Sequence, residues 1–362
     1  MTHSDIEILY NDSVALLQKL IATQSFSREE QHTANIIKNH LAGYGVQVML
    51  EGNNVYVRNV AYTAGKPTLL LNSHHDTVKP NRGYTKDPYN PAIEDGKLFG
   101  LGSNDAGGAL VSLIAAFLHF YHEKDLPFNL VLAASAEEEI SGAEGIERVL
   151  PHLGAIDCAI VGEPTLLQMA VAERGLMVLD CTAYGVAGHA ARNEGENALY
   201  IALDDINAIR NFNFEKVSDL LGKTHMAVTI IETDNKQHNV VPPICRFVTD
   251  VRVNELYNFE EVLDLLQQKL KSKIIPRSTR LRSTSIPMDH PLVKAGLSLD
   301  CSCYGSPTTS DKALMKFPAL KIGPGDSARS HMADEYIFLD EIKKGIELYI
   351  KLIKQFGFFL KN

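Results

Sequence analysis

No apolar stretch in the sequence is long enough to span a bilayer. Met1-Thr2-His3-Ser4-Asp5 opens without the basic region and apolar run of a secretory leader. Both absences predict a cytoplasmic chain with no membrane partner. Cysteine is scarce: the 362 residues hold five, Cys158, Cys181, Cys245, Cys301 and Cys303. An odd number at scattered spacing does not make a disulfide framework and predicts reduced thiols. Cys301-Ser302-Cys303 alone is too short a pattern to specify a metal, and two buried or surface thiols are the simpler reading. Positive charge is in deficit, with 35 Lys and Arg against 44 Asp and Glu and a formal net charge of −9. That balance argues against nucleic acid and anionic membrane as partners. Internal repeats and low-complexity tracts are absent too.

What is present points first to size. The chain is too long for one compact core, so two domains are expected. Its 45% apolar and 22% charged content is ordinary for a globular protein. The stretch that organises the rest is Leu69-Leu70-Leu71-Asn72-Ser73-His74-His75-Asp76-Thr77-Val78. Thr68 to Leu71 are apolar or β-branched, as in a central strand of a sheet covered on both faces. The run stops abruptly in polar residues, and open α/β sheets bind ligands beyond the carboxyl ends of their strands. His74 and Asp76, two apart, project to one side of an extended chain. A carboxylate behind an imidazole fixes its tautomer and raises its basicity, as at many metal sites. Taken alone, the stretch reads equally well as a turn with satisfied polar groups.

Other strand ends repeat the pattern. Residues 100–108, Gly-Leu-Gly-Ser-Asn-Asp-Ala-Gly-Gly, lead into an apolar helix from Ala109 to Tyr121. The Gly-x-Gly opening is not a dinucleotide fingerprint. Asp105 stands where the third glycine belongs, and its carboxylate would repel a pyrophosphate. Asp105 is either a helix cap or a carboxylate held beside the His74 strand. The Phe128–Ala134 run ends in Glu137-Glu138-Glu139, and the Ile156–Val161 run in Gly162-Glu163-Pro164-Thr165. Ala319 to Ile322 runs into Gly323-Pro324-Gly325 and on to His331. Each end has a bland explanation; their coincidence does not.

The remaining pattern sets the fold expectation. Residues 5–24 carry amphipathic helical spacing. Ser27-Arg28-Glu29-Glu30 has the form of a capping box opening a helix through Leu41. Residues 46–49 and 54–60 read as paired strands, and 334–360 as a long closing helix. From about Arg174 the character changes. Strands at 177–184, 225–231, 240–253 and 280–286, with helices at 197–210 and 259–270, make the split βαβ pattern of a ferredoxin-like domain. The expectation is an α/β protein. A helix-covered mixed sheet is built from 1–173 and 287–362, with an inserted α+β ferredoxin-like domain at 174–286.

His74, Asp105, Glu139, Glu163 and His331 offer two imidazoles and three carboxylates. That is too many for one four-coordinate metal and about right for two metals sharing a carboxylate. Nitrogen and oxygen donors without thiolate suit Zn²⁺, with Co²⁺ or Mn²⁺ as alternatives. Two such ions lower the pKa of a shared water. Glu138, beside the metals but not needed on them, suits a general base.

These segments resemble a di-zinc metallopeptidase family. It contains acetylornithine deacetylase, succinyl-diaminopimelate desuccinylase, aminoacylases and glutamate-releasing carboxypeptidases. The matching pieces are Ser73 to Val78, Gly102-Ser103-Asn104-Asp105, Glu137-Glu138-Glu139, Gly162 to Thr165 and Ser330-His331. They come in the family's order and span nearly the whole chain. The resemblance implies that His74, Asp105 and Glu163 hold one metal and Asp105, Glu139 and His331 the other, with Asp105 bridging. It makes Asp76 the residue that orients His74 and Glu138 the general base, and it implies a cis peptide after Asp105. Gly185-Val186-Ala187-Gly188-His189-Ala190 resembles a lid motif whose histidine stabilises the oxyanion from the neighbouring subunit of a homodimer. On its own, His189 reads as a turn histidine. Asn239 and Arg252 fall in segments resembling the family's substrate-binding parts. Thr308, Thr309 and Ser310 match a loop that helps bind a carboxylate.

The implied activity is removal of an N-acyl group from a small-molecule amino acid, as in acetylornithine deacetylase or an acyl variant in arginine synthesis. A dipeptidase or aminopeptidase would use the same metal site, and a non-catalytic binding module would lack a ligand or the base. Three departures stand out: Glu137 where many relatives have Asp, Tyr84 where they often have Trp, and Arg329. As an unusual cation two residues before His331, Arg329 is expected to read a negative acyl group and favour succinyl over acetyl.

Overall fold

The computed structural model describes residues 3–192 and 194–361. The leader expectation falls partly on Met1 and Thr2, outside the described residues. The described chain divides into two compact units: residues 1–171, 286–304 and 310–362 form one, and 172–285 with 305–309 the other.

The first unit is a mixed sheet with helices on both faces. Its strands run in the order Met49–Glu51, Asn54–Arg58, Asn129–Ser135, Thr68–His74, Cys158–Val161, Ala319–Lys321, and then the strand that opens at Met169. The Asn129–Ser135, Thr68–His74, Cys158–Val161 and Ala319–Lys321 strands are mutually parallel. Their carboxyl ends therefore open on one edge. Every residue of Thr68–His74 and of Asn129–Ser135 is buried, which is why these runs are continuously apolar rather than alternating. Leu69 and Leu71 face one core, with the helices His3–Ile21, Gln31–Gly43, Gly108–Phe120 and Leu339–Phe359. Leu70 faces the other, against Ile146, Val149 and Leu153 of a helix at Ile146–Leu153 that the sequence pattern does not flag. That helix has few turns and a proline at Pro151, so its periodicity is brief.

The second unit is a four-stranded sheet in the order His225–Glu232, Ile244–Val253, Gly175–Tyr184, Lys273–Pro276. All its pairings are antiparallel. Along Gly175–Tyr184 and Ile244–Val253 buried residues alternate with half-exposed ones. The buried set packs with residues of the helices Ala198–Arg210 and Phe259–Gln267. The split βαβ expectation therefore stands, with two corrections. The closing strand is Lys273–Pro276, not 280–286. Two isoleucines supply its β-propensity, whereas Arg277, Arg280 and Arg282 crowd the segment beyond. The expected 240–253 strand is interrupted at Pro242-Pro243, which have no N–H for a ladder, and restarts at Ile244. Residues 305–309 belong to this unit rather than to the first.

Candidate metal centre

The parallel register delivers the site. His74 lies opposite Ser135 on the neighbouring strand, and Asn72 opposite Val161 on the other side. Glu138 and Glu139 follow Ser135 after a turn in which Glu137 takes a φ of 53°. Glu163 lies two residues past Val161. The fourth parallel strand continues from Lys321 to His331, which is also left-handed at φ 60°.

Asp76 joins the first two of these pieces. The His74 Nδ1 atom stands 3.0 Å from the Asp76 carbonyl oxygen and 3.4 Å from its Oδ1. Both are acceptors, so Nδ1 carries a hydrogen and Nε2 is the nitrogen that faces the site. The same carboxylate accepts the backbone N–H groups of Glu138 at 3.0 Å and Glu139 at 3.1 Å, and the Ser27 hydroxyl at 2.6 Å. Ser27 therefore does not form the expected capping box. The helix begins at Gln31 with Glu30 at the cap position and no side-chain cap, so Ser27 stands three residues before the cap and its hydroxyl is used instead as a donor to Asp76.

Asp105 sits in a tight turn before the Gly108–Phe120 helix rather than capping it. Gly102 takes φ 76° there, and a Cβ on it would meet Thr77 at 2.6 Å. The Asp105–Ala106 peptide is cis. Asp105 Oδ1 lies 3.3 Å from His74 Nε2 and Oδ2 3.7 Å from His331 Nε2. One carboxylate thus stands between the two imidazoles. His331 Nε2 is also 3.0 Å from Glu139. His74 Nε2 is 3.8 Å from both Glu163 and Glu138. Candidate ligand atoms of His74, Asp105 and Glu139 lie within 4.8 Å of one another, as do those of His74, Glu138 and Glu163.

Sequence reasoning missed three residues that hold this arrangement. Glu335 is buried and accepts N–H groups of Gly102, Asn104 and Asp105 at 3.1, 2.8 and 2.9 Å. Asn104 makes a reciprocal pair with the Asp326 backbone, tying the Asp105 turn to the His331 loop. Asp311, buried, accepts the Ser135 hydroxyl at 2.6 Å. Asn104 lies in the matched Gly102–Asp105 piece without an assigned role, and nothing local marks the other two: Glu335 reads as an acid before a helix, and Asp311 as the first turn of a short one.

The centre is electrostatically incomplete without a cation. Two like charges ~4 Å apart repel by roughly 4 kcal/mol at an effective dielectric of about 20. Burial, then the neighbouring carboxylates Glu163, Asp311 and Glu139, push the Glu138 carboxyl well above its usual range. Burial, then Asp105 and Glu139, push Glu163 up to about 8. Burial pulls the His74 imidazole down, but Glu138, Asp105 and Asp76 outweigh it and raise it. The crowded acids and two inward imidazole nitrogens could hold divalent metal ions.

Without metal, protons must do that neutralising, which gives a pH signature. Glu163 at about 8, and Glu335 raised to about 8 by burial and then Asp105, hold protons in the folded chain that the unfolded chain releases near 4.5. Stability therefore falls as pH rises through that window. His331, raised to about 9 by its bond to Glu139, contributes stability that is full below 6.5 and lost as pH climbs through 9. All three act in one direction. The melting temperature of chelator-treated protein is expected to fall between about pH 7 and 9, and that of metal-loaded protein to fall less. Thermal melts across that range, with and without chelator, check this; a flat or rising curve for the stripped protein would refute it.

The other expected site residues have partners of their own. Arg329 is in the first unit but is not a free guanidinium: it forms a two-pronged pair with Glu341 at 2.9 and 2.6 Å. The acyl-reading role expected for it would require it to give up that fork. His189, Asn239, Arg252 and Thr309 belong to the second unit. His189 is exposed on a two-residue strand beside Val240–Val241, and its Nδ1 accepts the Ala191 N–H. The Asn239 carbonyl accepts the Ala190 N–H. The Arg252 fork grips Asp250 at 2.8 and 3.1 Å. The Thr309 hydroxyl donates to the Arg174 carbonyl.

A helix-covered mixed sheet whose parallel strands converge two histidines and several carboxylates on one edge defines a metal-dependent hydrolase of amide bonds. The chain belongs to peptidase family M20/M25/M40, whose family model matches residues 70–355. It is 26% identical over 377 residues to the succinyl-diaminopimelate desuccinylase of Wolbachia pipientis subsp. Culex pipiens, covering 95% of this chain and 93% of that protein. Among solved structures, an M20 family metallo-carboxypeptidase from Sulfolobus solfataricus superposes with a TM-score of 0.74 at 18% identity, over 96% of this chain and 99% of that one. A dinuclear metal-binding M20 peptidase from Bacillus subtilis gives 0.75 at 13% identity, over 96% and 98%.

Proposed function

We propose that this enzyme removes an acetyl or succinyl group from the α-nitrogen of an amino acid such as acylornithine or acylcitrulline, as a step of arginine synthesis in the cytoplasm. The observation that carries the amide-hydrolase chemistry is the Asp105 carboxylate held between His74 and His331, with Glu138 beside them. His74, Asp105 and Glu163 would hold one ion and Asp105, Glu139 and His331 the other, with zinc the best fit to nitrogen and oxygen donors. Bound there, the ions supply Lewis acidity to the amide carbonyl and acidify water. Glu138, its carboxylate 3.8 Å from His74 Nε2, would take a proton from water and return it to the departing amine. The reading includes a homodimer through the inserted domain, in which His189 of one subunit stabilises the oxyanion in the other. Asn239, Arg252 and Thr309 are its substrate-binding candidates; Arg252 would have to exchange Asp250 for a substrate carboxylate.

Desuccinylase relatives favour an N-acyl amino acid. Peptidase neighbours of the same fold keep a dipeptide as the second reading. The test is amine release by zinc-loaded protein from N-acetylornithine, N-acetylcitrulline, N-succinylornithine, N-succinylcitrulline, succinyl-diaminopimelate and a few dipeptides. Turnover of one acylornithine or acylcitrulline at least about tenfold above the rest is expected. Preference for succinyl-diaminopimelate moves the enzyme to a lysine-type precursor. Turnover of dipeptides alone overturns the deacylase reading.

A further inference from the structure

The two imidazoles of the centre are held by different means. The His74 side chain is 1% exposed and fixed by Asp76, whereas the His331 side chain is 55% exposed. Packing does not place the His331 ring. Apart from its contact with Glu139 at 3.0 Å, its position comes from the backbone of the loop that carries it, which is left-handed at that residue. That loop is anchored on both sides. Downstream, Glu335 holds it to the Asp105 turn, and Asp334 accepts the backbone N–H groups of Thr85 and Lys86. Asn81 donates to the His331 carbonyl itself at 3.0 Å, and upstream the loop is held by the Asn104–Asp326 pair and, two residues before the ligand, by Arg329.

Arg329 is built into the fold rather than displayed. Its side chain is 11% exposed, and its two terminal nitrogens bind the two oxygens of Glu341. The guanidinium carbon lies 5.0 Å from the centre of the Tyr336 ring and 5.5 Å from that of Phe338. Glu341 sits in the first turn of the Leu339–Phe359 helix, where it also accepts the Phe338 N–H. A planar fork on a carboxylate, stacked against aromatic faces, is a geometry only arginine provides. The pair thus clamps the start of the His331 loop to the helix that follows its end.

We infer that Arg329 is a positioning residue for His331: through Glu341 it sets the affinity of the metal position that His331 serves, and it does not select the acyl group. This rests on the two-metal reading but not on the substrate. Loss of a group that orients a metal ligand typically weakens metal binding by about 10–100-fold.

The experiment is a metal titration of stripped full-length protein with Zn²⁺ by calorimetry and with Co²⁺ by visible absorption, for wild type, Arg329→Gln, Glu341→Gln and the double variant. One of the two binding steps is expected to weaken by about 10–100-fold in each single variant, the other to hold, and the double variant to be no worse than either single. Arg329→Lys keeps the charge without the fork and is expected to fall between. The ratio of kcat/KM for succinyl and acetyl substrates should stay at its wild-type value. Unchanged titrations overturn the inference, as does a collapse of the succinyl-to-acetyl ratio with both steps intact. Equal weakening of both steps together with a lower melting temperature also overturns it, by showing general loosening. If wild type binds two ions but hydrolyses nothing on the panel, the proposed function fails while the titrations still decide the role of Arg329.

Discussion

Glu138→Gln is expected to lower kcat on the best substrate by about 10²–10⁴-fold, the usual worth of a placed general acid–base group, while both ions remain bound. The amide copies the carboxylate in size and leaves the Glu138 backbone N–H on Asp76, so the turn that also carries Glu139 is preserved. What is lost is the ability to take up and release a proton. The place of Glu138 suits it to that role, because its carboxylate stands beside His74 and Glu163 at the centre. Metal content by mass spectrometry, measured beside turnover at saturating zinc, checks both halves. A loss below about tenfold would remove Glu138 from the proton path. Loss of one ion would make it a ligand instead, an outcome worth measuring because its carboxylate lies within ligand distance of His74 and Glu163.

The second large effect belongs to Asp76, which touches neither metal nor substrate in the proposed scheme. Asp76→Ala strips the acceptor from the Glu138 and Glu139 N–H groups and from Ser27, and leaves His74 only the backbone carbonyl at Nδ1. Asp76 is 1% exposed. Each buried donor left without a partner costs about 1–3 kcal/mol, so a stability loss of roughly 2–5 kcal/mol is expected. The imidazole also loses the carboxylate that raises its basicity, which adds about 10–100-fold in metal affinity. Denaturant melts of stripped protein separate the two terms, since the first persists without metal and the second does not. Asp76→Asn, which keeps an acceptor oxygen, should recover part of the stability and less of the affinity. Equal behaviour of the alanine and asparagine variants would count against the hydrogen-bond account.

His74, Glu139 and Glu163 were legible because each lies at or just past the end of an apolar run, and His331 because the loop that carries it continues another. A run of that kind ends where a parallel strand ends, so local pattern alone carries the placement. The inserted domain was legible for a similar reason: alternation along residues 177–184 and 244–253 records which side of a sheet is buried. Residues whose worth lies in a distant partner were not legible. Glu335 serves N–H groups more than 200 positions away in sequence, and Arg329 looks like a substrate-reading cation until Glu341 is seen in its fork. Ser27 was read as a cap because its near neighbours fit one, but it bonds a carboxylate 49 positions on.

Periodicity and local chemistry were enough for the two-unit plan, for the strand ends that carry the site and for the residue types gathered there. Which polar groups meet was settled only by packing. It placed the Asp105 carboxylate between two imidazoles, hung the Glu138–Glu139 turn on Asp76, and committed Arg329 to Glu341. A hydrogen bond or ion pair is made with whatever partner the packed chain brings within about 3 Å, and spacing along the chain holds no record of that approach.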